Sequence, residues 1–563
     1  MFSRILNRRL SDTFPDKYIE VVNTAMSAVN SYTLVDFMDE ILDQQPDAII
    51  MYAGHNEYYG ALGVASMESL GRIPWVVNTY LKLKQFKIFI MVRDLVGTLR
   101  KAAGKTIHGA TKEDPTATLM ARIVAEQKIP YKSEMYELGK KQFQNNLSAI
   151  FQKAGKAKVP VIVSELVSNI RDQAPFESVK IDSFPTAEKA YEIARALDRQ
   201  QDYADAHKAY TLAKDLDALR FRASEEFNDI IHQTADQFNA PVVPMKSLFE
   251  KQSPQGLMGN NQFVEHLHPN VDGHFLLADA FYRELLKNEY ISTDVDSSRI
   301  RTSAYYREGW AYTALDSADA ALGIRYLKGG WPFQPKTRPN HTLDNFEVKT
   351  IIDTLALRVL VDKAFSLESA HLYLAEYYEN HNQNIKALNE YLALIYTVPW
   401  EMMFYERAAK LLIKMNNHDK ALGLLLESHK YGTTAFTNKW TGQLLLAKGF
   451  IDDAIPFLEK AYELTPDDKQ LENNLTKAKS LVQQTAEKPT DAEPSQLDPQ
   501  QILKDKSEEL KKISNAMLMQ NAITAIKAKN YNKAIPLLKK SLEMEETYEA
   551  RKWLGLVNLA MGN

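Results

Sequence analysis

Asp47-Ala-Ile-Ile-Met-Tyr-Ala-Gly-His-Asn-Glu57 is the stretch whose reading decides the fold. Its run from Ala48 to Ala53 suits a strand buried on both faces of a parallel sheet. The run empties into Gly54-His55-Asn56-Glu57, at the strand end where ligands bind in open α/β sheets. Three polar side chains crowded behind a strand are poor core material, so this loop needs a reason other than packing.

Working outward, Tyr18-Ile-Glu-Val-Val-Asn-Thr24 reads as a strand, preceded by an amphipathic helix with Phe2, Ile5, Leu6 and Leu10 on one side. Leu34, Phe37, Met38, Ile41 and Leu42 give a helix before the opening strand. Helix alternating with strand predicts βαβ units and a parallel sheet. Residues 60–104 read as a helical insertion, either a lid over the site or a packing helix. A helix over 131–154 follows, then a third strand over 159–166 closing with Asn169, Arg171 and Asp172, and a fourth over 240–245. Between these strands, 186–237 is helical and reads as a repeat-like insertion.

Small residues 12 positions apart recur along the chain: Ala194/Ala206, Ala375/Ala387, Ala409/Ala421, Gly442/Ala454 and Ala522/Ala534. Short polar turns such as Asn416-Asn-His-Asp419 join the members of a pair, and small residues let two antiparallel helices approach closely. The central copies step by about 34 residues, and this pattern resembles the tetratricopeptide repeat. The resemblance implies an all-α solenoid over 300–483 that binds a protein partner. Residues 301–329 read as a degenerate helical pair opening the array, ended by Gly329-Gly330-Trp331-Pro332. A Pro-bearing polar linker spans 484–501, and 502–563 carries a further repeat.

Composition sets bounds. The 563 residues suggest about three to four domains. Hydrophobic and charged contents of 45% and 25% are those of an ordinary globular protein. A net charge of −4 gives no electrostatic reason to expect a nucleic acid. The absence of cysteine excludes disulfides, thiolate metal sites and cysteine nucleophiles. No stretch reaches the ~18 apolar residues of a membrane span.

The second chemical stretch is Phe263-Val-Glu-His-Leu-His-Pro-Asn-Val-Asp-Gly-His274. A carboxylate at Glu265 can hold the Nδ1 proton of His268 and turn Nε2 toward a nucleophile. Read as a metal cluster instead, His266, His268, Asp272 and His274 lack a third carboxylate fixed by spacing, so no metal is assigned. His55 and Glu57 either touch a substrate or cap the following helix. Asn169 and Arg171 end the third strand near the same face, and either they hold an anion there or Arg171 is a surface arginine.

Residues 1–295 resemble an SGNH (GDSL-type) hydrolase. Gly54-x-Asn56 is similar to that family's third block, Glu265-x-x-His268-Pro269 to its fifth with glutamate in place of aspartate, and Asn23 to Ala28 to its second. The resemblance implies a flavodoxin-like three-layer sandwich that hydrolyses or transfers an acyl or acetyl ester without a cofactor. His268 would be the base and Glu265 its partner, with the Asn56 amide and the Ala28 N–H, beside Gly54, as oxyanion donors. The first block, a strand ending in the nucleophilic serine, is missing. Ser3, Ser11, Ser27 and Ser31 lack the strand-to-helix elbow that exposes a nucleophile. The chain is therefore expected to be an amino-terminally truncated version of a longer enzyme. The alternative is a non-catalytic tetratricopeptide scaffold with a degenerate hydrolase domain. Related proteins of this domain pair resemble bacterial envelope proteins.

Overall fold

The computed structural model describes residues 1–60, 63–65, 128–308 and 310–486, together with 519, 522–523, 526, 531–544, 550–554 and 557. Nearly all of the expected lid and of the linker, and much of the terminal segment, lie outside the described residues. The chain forms two compact units, residues 1–308 with 326–343 and residues 309–325 with 344–563.

The first unit is built on a parallel sheet of three strands, β1 (Ile49–Met51), β2 (Val161–Ser164) and β3 (Val242–Val243), in the order β1-β2-β3. Ile49 to Met51 align with Val161 to Val163, and Val163 and Ser164 with Val242 and Val243. The side-chain period of two sends Val161 and Val163 to one core and Ile162 to the other. The first core is closed by helices α2 (Ser31–Asp43), α3 (Glu134–Ala157) and α6 (Glu225–Gln237). The second is closed by α1 (Phe2–Thr13), the pair α4 (Ala187–Arg199) and α5 (Tyr203–Leu216), α7 (Met245–Gln252) and α8 (Val271–Lys287). Side-chain caps start several of these helices, with Ser133, Thr186, Asp202 and Asn270 each accepting from the N–H three residues on.

Two expectations about the sheet need correction. Residues 18–24 form no strand and no helix. Ile19 and Val21 pack on the second core, whereas Tyr18 and Val22 are 78% and 69% exposed. The alternation records contact on one face, but a strand also needs a ladder partner, and no described strand supplies one. Strand β1, expected to be buried on both faces, is an edge among the described residues, with Ile49 and Ile50 only half-buried. The described sheet is thus a small three-stranded one rather than the full flavodoxin-like sandwich.

The second unit consists of helix pairs: α12 (Leu367–Asn380) with α13 (Asn384–Thr397), α14 (Met402–Lys414) with α15 (His418–Ser428), and α16 (Ala435–Ala447) with α17 (Ile451–Leu464). Ala375, Ala387, Ala409, Ala421 and Ala454 are fully buried at the crossings. At Gly442 a Cβ would stand 2.7 Å from the Leu458 side chain. Each turn places one residue in the left-handed region: Asn382, Asn416 and Gly449. First helices of successive pairs lie side by side, α14 against α16 and α16 against α18 (Lys469–Ala486). The Ala194/Ala206 pair of α4 and α5 follows the same rule inside the first unit, and Ala522, Ala534, Leu538 and Val557 are buried near the carboxyl end.

The degenerate pair expected over 301–329 is not one. Helix α9 (Ser303–Glu308) belongs to the first unit, where Arg9 donates to Ser303 Oγ at 3.0 Å and to the Arg301 carbonyl at 3.2 Å. Helix α10 (Ala314–Lys328) begins in the second unit. There His371 is buried between Glu390, at 2.6 Å from Nδ1, and Asp316, at 3.3 Å from Nε2. Helix α11 (Ile351–Val361) resumes the second unit after residues 326–343.

Candidate functional site

The loop 263–270 is folded back on itself by a bridge between Phe263 and Pro269 and by the Val264 N–H on the His268 carbonyl, 2.9 Å. It runs into α8 at Gly273, where a Cβ would meet the Gln262 carbonyl at 2.5 Å. Inside the fold-back, Glu265 Oε1 accepts from the backbone N–H of His268 at 2.6 Å and of Leu267 at 3.2 Å, and pairs with His268 Nδ1 at 2.7 Å. The Glu265 side chain is fully buried and that of His268 is 67% exposed. The acid is sealed and its imidazole partner faces outward.

Burial alone would raise the Glu265 carboxyl, but hydrogen bonds and charge from His266 and His268 outweigh it and hold the group well below the carboxylate range. For His268, burial acts downward, yet the bond to Glu265 and its charge leave the imidazole above its ordinary value. The Nδ1 proton is therefore committed to Glu265 and Nε2 is left for other chemistry. No described serine hydroxyl is hydrogen-bonded to that nitrogen. Ser3 and Ser11 lie within α1, Ser27 in a turn, and Ser31 Oγ donates to Glu57 at 2.6 Å.

At the end of β1, Gly54 turns at φ 150°, where a Cβ would stand 2.6 Å from the Leu166 side chain. His55 is a structural group. Its Nδ1 accepts from the Ala223 N–H at 3.1 Å, and Nε2 lies 3.4 Å from the Tyr52 hydroxyl, itself paired with the Val167 backbone. Burial, aided by the charges of Lys214, His266 and His268, pushes it down to about 3. The Asn56 side chain is half-exposed and forms no hydrogen bond with a described residue, while its carbonyl accepts from Gly60 at 2.7 Å.

Glu57 caps a helix, but one that precedes it in the chain rather than the following one. It is completely buried and accepts from the Ser31 N–H at 3.1 Å and the Ser31 hydroxyl at 2.6 Å. Ser31 is the first residue of α2, so this carboxylate satisfies an otherwise orphan donor at a helix amino terminus. Asn146 donates to Ser31 Oγ at 2.8 Å. Burial raises the Glu57 carboxyl to about 7, with the two Ser31 bonds opposing the shift. Through Glu57 the loop bearing Asn56 is tied to the loop bearing Ala28. Ala28 lies in a turn at φ 60°, and its N–H donates to no described group.

Asn169 also takes a definite role. Its amide donates to the Glu265 carbonyl at 3.1 Å and to Asn260 at 2.9 Å, and its backbone N–H to the His266 carbonyl at 3.0 Å. It clamps the Glu265 loop to the end of β2. Arg171 forms a bidentate pair with Asp198, both bonds 2.8 Å, so its charge is already matched. Among the described residues no group of three or more histidine or acidic side chains is disposed to hold a metal ion, and no helix is long and apolar enough to cross a membrane. Sequence reading weighed His266 only as a metal ligand and missed its contact with the acid: its Nδ1 lies against Glu265 Oε2. The Glu-His-x-His spacing was its only signal.

No family model matches the sequence, and no curated protein matches it. Similar solved structures are tetratricopeptide-repeat proteins. YrrB, described as a TPR protein with an unusual peptide-binding site, is 13% identical over 35% of this chain and 96% of its own, with a TM-score of 0.21. The TPR domain of P58(IPK) is 13% identical over 67% and 89%, at 0.21. The Cut9–Hcn1 hetero-tetramer of APC/C yields a chain 14% identical over 76% and 79%, at 0.19.

Proposed function

We propose that the chain is a protein-binding scaffold whose helix pairs present a partner surface. The observation that carries this reading is the row of first helices, α14, α16 and α18, packed side by side, with Phe436 and Trp440 of α16 only half-buried. Met403 is 39% exposed, the Lys410 ammonium sits 4.7 Å from the centre of the Phe436 ring, and Trp440 flanks that ring at 6.2 Å. Aromatic and cationic groups on a rigid helical face suit a peptide or protein ligand. Screening the full chain against a peptide library tests this. A bound peptide should lose at least tenfold in affinity when Lys410 and Trp440 are both replaced by Ala. Binding should survive His268→Ala. Undiminished binding to a chain lacking residues 365–480 would overturn the reading.

A second reading is favoured by the Glu265–His268 geometry. A sealed carboxylate on Nδ1 and a free Nε2 make the base half of a Ser-His-acid ester hydrolase. Asn56 and the Ala28 N–H would then serve as oxyanion donors, with Gly54 turning the donor loop. Turnover of a short-chain aryl ester that disappears in His268→Ala would establish this activity. Its absence in the wild-type chain would leave the scaffold reading alone.

A further inference from the structure

The side of Glu265 away from His268 is closed by an aromatic enclosure around His266. Three rings surround the imidazole: Phe176 at 5.3 Å, Phe221 at 5.8 Å and Phe333 at 5.8 Å between centroids. Phe333 meets Phe176 edge-on at 5.2 Å, and Trp331 meets Phe221 edge-on at 5.7 Å. Phe176 and Phe221 belong to the segments flanking the α4–α5 insertion. Trp331 and Phe333 come from a strap between α10 and α11, closed at its base. There the Asn340 amide donates to the Tyr326 carbonyl at 2.8 Å, and a Cβ on Gly329 would collide with Asn340 and Thr342. Nothing in the ester-hydrolase pattern or the repeat pattern accounts for this enclosure.

We propose that His266 and the strap residues Trp331 and Phe333 are positioning residues for the Glu265–His268 pair. The aromatic cap holds the His266 ring against Oε2, so that Oε1 alone is left to orient His268. The His266 side chain is 12% exposed. Burial, which outweighs Glu265, keeps it below the ordinary histidine range, with His268 and Arg222 acting in the same direction. A neutral imidazole with Nδ1 against a carboxylate carries its proton on Nδ1. Glu265 thus meets a neutral donor on one oxygen and the more basic His268 on the other. The charged and titratable groups acting on this cluster are Glu265, His268 and Arg222, with His55 influenced by both histidines.

The experiment is a histidine NMR titration of the full chain, following the His266 and His268 ring carbons. It needs no substrate and no catalytic turnover. In Phe333→Ala, water entering the cap weakens the attraction between Glu265 and His268. The His268 pKa should fall by about half a unit or more while that of His266 rises. Phe333→Leu should restore the wild-type values. In His266→Phe the cap stays filled but Oε2 loses its donor. Charge then concentrates on Oε1, and the His268 pKa should rise by a similar amount. Opposite shifts in two variants separate positioning from general loosening of the fold. If Phe333→Ala does not fold, Phe333→Leu and His266→Phe carry the test. His268 values within about 0.2 unit of wild type in every folded variant, or shifts of one sign in both, would overturn the proposal.

Discussion

Glu57 shows how one side chain can link two loops at some energetic cost. Its folded pKa of about 7 stands above the ordinary carboxylate value of 4.5. The folded state therefore holds the proton more tightly than the unfolded one, and stability falls as pH rises from about 4.5 to 7. The contribution is roughly 3 kcal/mol across that window. Glu57→Gln should flatten this part of the profile in urea unfolding followed between pH 4.5 and 7. Ala28 carries backbone strain, since the left-handed region costs a non-glycine residue about 1–2 kcal/mol. Ala28→Gly should be neutral or stabilise by up to about 1 kcal/mol, and Ala28→Val should destabilise by more than that, read from denaturation midpoints. At this scale the sequence announced a polar cluster at residues 54–57. It could not announce the partner, because Ser31 meets Glu57 only through tertiary packing. Alternatives left open at His55 and Asn169 closed for the same reason. Their neighbours, Ala223 and Glu265, are far away along the chain.

Helix pairs were the most legible elements, and the reason is steric. A crossing that admits no side chain leaves a small residue at a fixed spacing, and five such spacings survive in the primary structure. Gly442→Val would drive Cβ and two methyls into Leu458 and should cost about 1–3 kcal/mol, measurable as a lowered thermal midpoint with helical content retained below it. Strands were less legible. The 18–24 segment alternates as a strand should, yet alternation reports only which side chains meet a core. Ladder partners leave no mark on the sequence. Likewise the apolar run 48–53 indicates a strand suited to burial on both faces, while the described sheet covers only part of it.

At the scale of the whole molecule, two buried ionic centres act on different units in different pH windows. His371, gripped by Asp316 and Glu390, has its pKa raised to about 9 because those carboxylates outweigh its burial. Asp319 and Tyr312 face the same cluster through Asp316, and Tyr378 faces Glu390. A raised histidine contributes stability that is fully present below about 6.5 and is lost as pH climbs through 9. Hydrogen exchange should therefore show the first unit loosening between about pH 4.5 and 7, and helices α10, α12 and α13 between about 6.5 and 9. His371→Ala would leave the buried Glu390 and the half-buried Asp316 without their cation and should cost about 3 kcal/mol, seen by chemical denaturation of the second unit.

The strap gives the chain an itinerary that a linear map of domains does not convey. The polypeptide enters the second unit at residue 309, departs at 326, and returns at 344. The border between the units is thus crossed three times by covalent backbone, and no single cut frees one from the other. A fragment begun at 344 would leave Asp316 behind and strip His371 of one of its two carboxylates. A fragment ended at 308 would lack Trp331 and Phe333 and open the wall around His266. The two units are heritable and separable only as an interleaved pair, so a recombination event that exchanged either as a block would have to carry residues of the other with it.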